Sequence, residues 1–454
     1  MRKLECRREA LFQYRGLPPV GMAVSMALQH LVAMIVGCVT PAIIIANVAG
    51  LAHDQRVLLI QASLVMSAVT TLLQLFPIGG RFGAGLPVIF GVSFAYLPSM
   101  QAIVGGGGDI ATIAGAMVIG GIVAAVVGVF VKKIRRFFPP IITGTVVFTI
   151  GLSLYPTAIN YMAGGAGNTY EVVVLRKGLT SALVHGSWQN WAVAAFTLIV
   201  VMVMSNKGKG ICKVAAILLG MIAGYIVAAV FGMVDLSEVR DAAWFSLPRF
   251  MHFGIKFEFS ACIALALLFA INAIQAIGDL TATTVGGLNR EPTDQELQGG
   301  IVTYGLTNVL SAFFGSLPTA TYSQNVGIVT TNKVINRVVF ALAGGFLLLA
   351  GLIPKFSAIL TTIPQCVLGG ATITVFSTIA MTGMKLIASE TISPRNTTIV
   401  GLSAALGVGI SQSSSALSQF PESITIIFGK TPVVIATIMA GLLNLILPQE
   451  NKDQ

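Results

Sequence analysis

The chain has 454 residues, of which 55% are hydrophobic and only 10% charged, and its mean hydropathy is +0.87. A soluble domain covers itself with roughly 25% charged residues, so a water-facing surface is excluded and lipid takes its place. The net charge of +10 does not point to nucleic acid, because the basic residues sit in short loops between apolar runs, where the positive-inside bias puts them.

In chain order, segment 1–19 is basic and polar for too long to be a cleavable leader. Fourteen spans are expected after it: 20–48, 57–77, 83–104, 109–131, 138–158, 190–205, 212–234, 258–279, 299–315, 322–332, 336–353, 357–386, 396–412 and 431–448. A helix needs about 20 apolar residues to cross a hydrocarbon core of about 30 Å. Most of these segments qualify, while span 10 is too short to cross alone. The 49 glycines suit a bundle whose helices approach closely. Cys6, Cys38, Cys212, Cys262 and Cys366 show no metal-ligand spacing and read as small packing residues. No metal and no cofactor is expected.

Loop charge sets the orientation. With segment 1–19 in the cytoplasm, the loops carrying Lys132, Lys133, Arg135 and Arg136, then Lys207, Lys209 and Lys213, then Lys333 and Arg337, all fall on that side. Trp188, Trp191 and Trp244 fall near the opposite face, as an interfacial belt would. The expectation is a multi-pass plasma (inner) membrane protein with both termini cytoplasmic, including the tail 449–454.

An internal repeat marks the centre. Span 3 contains Gly85-Leu86-Pro87-Val88-Ile89-Phe90-Gly91-Val92-Ser93-Phe94, and the opening of span 10 contains Ser316-Leu317-Pro318-Thr319-Ala320-Thr321-Tyr322-Ser323-Gln324-Asn325. Ser93 and Gln324 lie at the same offset from their prolines. Pro and β-branched residues beside Gly predict a short extended piece before a half-helix, over Val88 to Phe90 and Thr319 to Tyr322. Seven spans per half make the halves enter from opposite sides. Paired interrupted segments point to a transporter's midplane site, where half-helix N-termini offer free N–H groups and positive dipole ends.

Polar groups inside lipid are costly and so are functional candidates. His30 lies in span 1, Gln275 and Asp279 lie one helical turn apart in span 8, and Gln324-Asn325 opens span 10, with Ser93-Phe94 in the matching place of span 3. Each has a plainer reading as well: His30 as a packing residue, Asp279 as a support for nearby backbone, Gln275 as a bridge between helices, Gln324-Asn325 as a helix cap, and Phe94 as core filler. Taken together, two side-chain amides offer paired donors and acceptors that match a nucleobase edge, and an aromatic face stacks on a planar ring. The sequence has no phosphate-binding loop.

At these residues the chain resembles the nucleobase–ascorbate transporter family, also called nucleobase–cation symporter-2. The resemblance covers nearly the whole chain. It is carried by Gln29-His30-Leu31-Val32-Ala33-Met34, by GLPVIFGVSFAY in span 3, by Gly278-Asp279-Leu280-Thr281-Ala282-Thr283, by Gln324-Asn325-Val326-Gly327 and by AGLLNLILP over 440–448. It implies an all-α polytopic protein of fourteen spans in two inverted repeats of seven, with short β-strands interrupting spans 3 and 10. The core domain would comprise 20–136 and 258–356, and a dimer-forming gate domain 137–257 and 357–448. It also implies elevator-type proton symport of a base, with Gln324-Asn325 favouring the purine (xanthine or urate) branch. The implied substrate residues are Ser93, Phe94, Gln275, Gln324 and Asn325, and the implied proton or supporting residues are His30 and Asp279.

Three departures stand out. Many purine carriers of that family have Glu where this chain has Gln275, a polar Asp or Asn where it has Tyr304, and TG or TR where it has Thr331-Asn332-Lys333. Two alternatives stay beside base symport: an anion carrier of the same architecture, suited to the two dipole ends, and, because of Gln275, a transport-poor base uniporter or sensor. An enzyme is not expected, because no HExxH, Ser–His–Asp or metal-ligand pattern occurs.

Overall fold

A computed structural model describes residues 9–134, 139–417, 419–420 and 432–448. Cys6, the basic pair Arg135-Arg136 and the tail 449–454 lie outside the described residues. The main elements, in order, are α1 Val20–Val48, α2 His53–Leu75, β1 Phe90–Val92, α3 Leu97–Gly105, α4 Ile110–Val129, α5 Pro140–Met162, α6 Trp188–Lys207, α7 Ala216–Val230 and α8 Phe259–Thr283. Then come α9 Asp294–Phe313, β2 Thr319–Thr321, α10 Ser323–Asn332, α11 Arg337–Leu352, α12 Pro354–Thr361, α13 Gln365–Ile387, α14 Pro394–Gln412 and α15 Pro432–Ile446.

The fold is mostly helical and multi-pass. Among the described residues seven helices (α1, α2, α4, α5, α6, α8 with the π-helical turn after it, and α13) are long and apolar enough to cross a membrane, and α11 with α12 makes an eighth if counted as one bent span. The other expected spans fall on shorter or more polar helices. Span 12, expected as one run over 357–386, is divided: α12 ends at Thr361, and α13 starts at Gln365 behind Pro364. The reason is proline chemistry. Pro354 and Pro364 lack the N–H that continues a helix and suit its first turn, so the chain bends by 78° between α11 and α12.

The helices sort into two groups by packing. In one, α4 lies against α8 and α9, and α11 against α1 and α2. In the other, α13 lies against α5 and α6, α6 against α7, and α15 against α5 and α14. Close seams between helices are made by missing side chains. A Cβ on Gly151 would come within 2.4 Å of the Ala380 nitrogen, and one on Gly383 within 2.2 Å of the Phe148 nitrogen, across α5 and α13. A Cβ on Gly121 would lie 2.6 Å from the Gly305 carbonyl, across α4 and α9. Small residues let membrane helices gain contact where burial from water drives nothing.

The two strands cross at the middle of the first group. They pair antiparallel, with Phe90 opposite Thr321, Gly91 opposite Ala320 and Val92 opposite Thr319. The ladder continues at both ends, since the Ser93 N–H donates to the Pro318 carbonyl and the Tyr322 N–H to the Ile89 carbonyl, each at 3.0 Å. The first strand sits two residues later than the sequence reading of Val88 to Phe90. Strand edges inside a membrane need partners, and neighbouring helices supply them. Thr71 on α2 accepts from the Phe90 N–H and donates to its carbonyl, Ser67 accepts from the Val92 N–H, and Asn308 on α9 accepts from the Thr319 N–H while donating to its carbonyl.

Candidate functional site

Beyond each strand the chain turns into a half-helix. After β1, Ser93 accepts from the Ala95 N–H and starts a single 3₁₀ turn, Phe94–Tyr96, that leads into α3. After β2, α10 begins at Ser323. First-turn N–H groups have no partner inside their own helix, and the positive ends of both dipoles lie here.

A cavity of about 200 Å³ opens at this point. The first helix group contributes Ser93, Phe94, Gln275, Ser323 and Gln324; the second closes it with Val147 and Ile150 of α5 and Thr378, Ile379 and Thr382 of α13. The edge of the Phe94 ring meets Phe376 of α13, with ring centroids 5.2 Å apart at 78°. Among the described residues, neither the Gln275 nor the Gln324 side-chain amide has a hydrogen-bond partner within the protein. Two amides in a half-buried cavity without internal partners have their donors and acceptors available for a ligand.

Asp279 lies just behind this wall. Its carboxylate accepts from the Thr321 hydroxyl at 2.5 Å and from the Ser323 hydroxyl at 2.9 Å and 3.0 Å. The carboxylate is buried, with no cation among those partners, and joins α8 to the strand and half-helix that carry Gln324. Its link to the cavity therefore runs through Ser323 and Thr321, which both line it.

Asn325 and His30 sit together elsewhere. The Asn325 amide nitrogen contacts His30 Nδ1 at 3.1 Å and donates to the His30 carbonyl at 3.0 Å. The His30 ring packs against Phe340, with centroids 4.6 Å apart. Neither residue is on the cavity wall. Asn325 Oδ1 is buried and has no protein partner. The pair braces α10 against α1.

Sequence reasoning missed three features. The α5 and α13 residues facing the cavity are Val, Ile and Thr, which look like ordinary packing groups of a membrane helix. Tyr322 carries no distinct signal beside Gln324, yet its hydroxyl donates to the Val92 carbonyl at 2.6 Å and ties the strands together. Tyr304 was noted only as a departure; it is fully buried, hydrogen-bonded through its hydroxyl to that of Tyr96 and packed against Phe269. Among the described residues no group of three or more His, Cys, Asp or Glu could hold a metal ion.

The uric acid permease PucK of Bacillus subtilis is 34% identical over 91% of this chain and 93% of its own length. The xanthine permease of the same organism is 30% identical over 94% of each, and the xanthine permease XanP of Escherichia coli is 29% identical over 98% of this chain and 96% of its own. Among solved structures, the transmembrane domain of the cyanobacterial bicarbonate transporter BicA superposes with a TM-score of 0.58 at 18% identity, over 92% of this chain and 97% of that one. Murine Slc26a9, an anion transporter in the inward-facing state, gives 0.62 at 9% identity, over 96% of this chain and 69% of that one. These two establish a shared fold. A family model described as "Permease family" matches residues 21–415, and with relatives of such identity along almost its whole length the chain belongs to that permease family.

Proposed function

We propose that this chain carries a nucleobase, a purine such as xanthine or urate, across the membrane. The observation that carries this reading is the pair of amides without protein partners, Gln275 and Gln324, beside the Phe94 ring in one cavity. An amide presents donors and an acceptor together, as the edge of a purine requires, and a ring face or edge adds contact with a flat ligand. The relatives named as xanthine and uric acid permeases support the same class.

The finer reading is an elevator-type proton symporter of the plasma (inner) membrane. The first helix group, with 20–136 and 258–356, acts as the core that holds the base. The second, with 137–257 and 357–448, acts as the gate and joins two copies into a homodimer. The fourteen spans form two inverted repeats of seven, and both termini are cytoplasmic. Ser93, Phe94, Gln275 and Gln324 hold the base, with Asn325 shaping the site from behind through His30. Asp279 carries the proton, because it is the carboxylate linked by hydroxyls to the cavity wall.

The test is uptake of radiolabelled xanthine, urate, uracil and sulfate into proteoliposomes, with and without a pH gradient. Accumulation of a purine driven by inward protons is expected. Sulfate uptake without base competition would replace the reading with an anion carrier. Base flux that ignores the pH gradient would make the protein a uniporter.

A further inference from the structure

A second cavity, of about 570 Å³, lies on the face of the first helix group that carries the N-terminal segment. It shares no lining residue with the first. Its wall contains three arginines, Arg15, Arg290 and Arg337, together with Tyr14 and Glu296. They come from three stretches far apart in sequence: the segment before α1, the turn between α8 and α9, and the start of α11.

The arginines are held in place. The Asn336 amide donates to the carbonyls of Ala10 at 2.7 Å, Gln13 at 3.1 Å and Gly16 at 3.2 Å, and the Arg337 N–H donates to the Tyr14 carbonyl at 3.2 Å. The Tyr14 hydroxyl donates to the Leu75 carbonyl at 3.2 Å, and Leu11 is buried. Residues 10–16 are thus docked as a fixed strap. The Arg337 guanidinium lies 5.9 Å from the centre of the Phe76 ring, an arrangement that steadies the group and leaves its donors available.

Charge does not balance within this cavity. Arg290 is neutralised by a two-pronged bond to Glu296, at 2.8 Å and 2.5 Å. Burial pushes the Glu296 carboxyl up, but the hydrogen bonds from Arg290 and Thr293 outweigh it and hold it below its ordinary range. Arg15 and Arg337 have no carboxylate partner among the described residues. Two guanidinium groups around one cavity match the several acceptor oxygens of a phosphate group.

We propose that this cavity is a phosphate-group site, separate from the transport site, in which Arg15 and Arg337 grip the ligand and the Arg290–Glu296 pair limits its affinity. The phosphate belongs either to a soluble ion or to the headgroup of an anionic lipid, since basic pockets at a membrane face take such headgroups. Occupancy ties the strap to the turn before α9 and to α11, and so stiffens the helix group that carries the amide cavity.

The experiment uses full-length protein in phosphatidylcholine nanodiscs. Inorganic phosphate is titrated by calorimetry, and thermal midpoints are compared with and without phosphatidylglycerol in the disc. Arg15→Gln with Arg337→Gln is expected to weaken phosphate binding at least tenfold, or to abolish the midpoint rise given by phosphatidylglycerol. The first result assigns a soluble source and the second a lipid. Glu296→Gln keeps the helix cap, because Gln serves at that position, and frees Arg290; it is expected to tighten binding several-fold. That variant keeps the test decisive if the double variant does not elute as a single species. The proposal is overturned if the double variant matches wild type with both probes, or if Glu296→Gln leaves binding unchanged or weaker.

Discussion

Gln324 and Asn325 are adjacent, yet only one lines the cavity. With 3.6 residues per turn, neighbours on a helix project about 100° apart, so one amide faces the cavity and the next reaches His30. Truncating Gln324 leaves ligand polar groups unpaired, at a cost of about 1–3 kcal/mol. Gln324→Ala is therefore expected to weaken xanthine binding roughly tenfold or more, with normal protein in the membrane; calorimetry on purified protein checks it. Unchanged affinity removes Gln324 from the site. Asp279 is tested through its charge. Asp279→Asn keeps one acceptor for the hydroxyls of Thr321 and Ser323 but has no titratable group, so uptake should lose its dependence on external pH. A mutant that still accumulates base with the wild-type pH profile assigns coupling to another group. These residue types were legible because amides and carboxylates stand out in apolar sequence. Their division between cavity wall and brace was not, since it depends on helix phase and on what α1 presents.

Broken spans were legible as elements, through the Leu-Pro pairs and the residues following them. Each break follows a glycine in the left-handed region, Gly85 at φ +65° and Gly315 at φ +67°, a conformation glycine adopts without penalty. The two-residue shift of β1 was beyond the sequence because register is set across the chain. Thr71, Ser67 and Tyr322 hold the strand where it lies, and none is near it in sequence. Tyr322 also fills space left by two glycines: a Cβ on Gly37 or on Gly91 would come within 2.6 Å of its ring. Tyr322→Phe keeps that ring and removes the bond to Val92. A buried carbonyl that loses its donor costs about 1–3 kcal/mol. The variant is expected to show a lower thermal midpoint in detergent and weaker base binding; a midpoint equal to wild type would show that the strand pair does not need this hydroxyl.

Among the described residues, few polar contacts join the helices of the two groups, although the stretch after α7 bonds to the first group through Ser246, Met251 and Lys256. Thr157 on α5 donates to Gln101 on α3 at 3.2 Å, and the Tyr161 hydroxyl donates to the Ile44 carbonyl at 3.4 Å. Such thin bonding suits surfaces that slide. Cross-linking Gln101→Cys to Thr157→Cys should stop uptake while leaving base binding measurable, and full uptake after complete cross-linking would rule out relative movement at this seam. The grouping itself was not readable from periodicity, because helices far apart in sequence lie together. The composition of the cavity wall carries a further consequence. Its partner-free amides and its serines belong to one helix group, while the other presents Val147, Ile150, Ile379 and two threonines. In the proposed elevator movement, a passenger carried by the first group would keep its polar handholds throughout the crossing and exchange only the panel in front of it. Discrimination among bases would then travel with the cargo, whereas leakage and speed would be set by a panel that never has to recognise it. Substitutions on α5 and α13 should accordingly alter how fast and how tightly the passage shuts before they alter what is admitted.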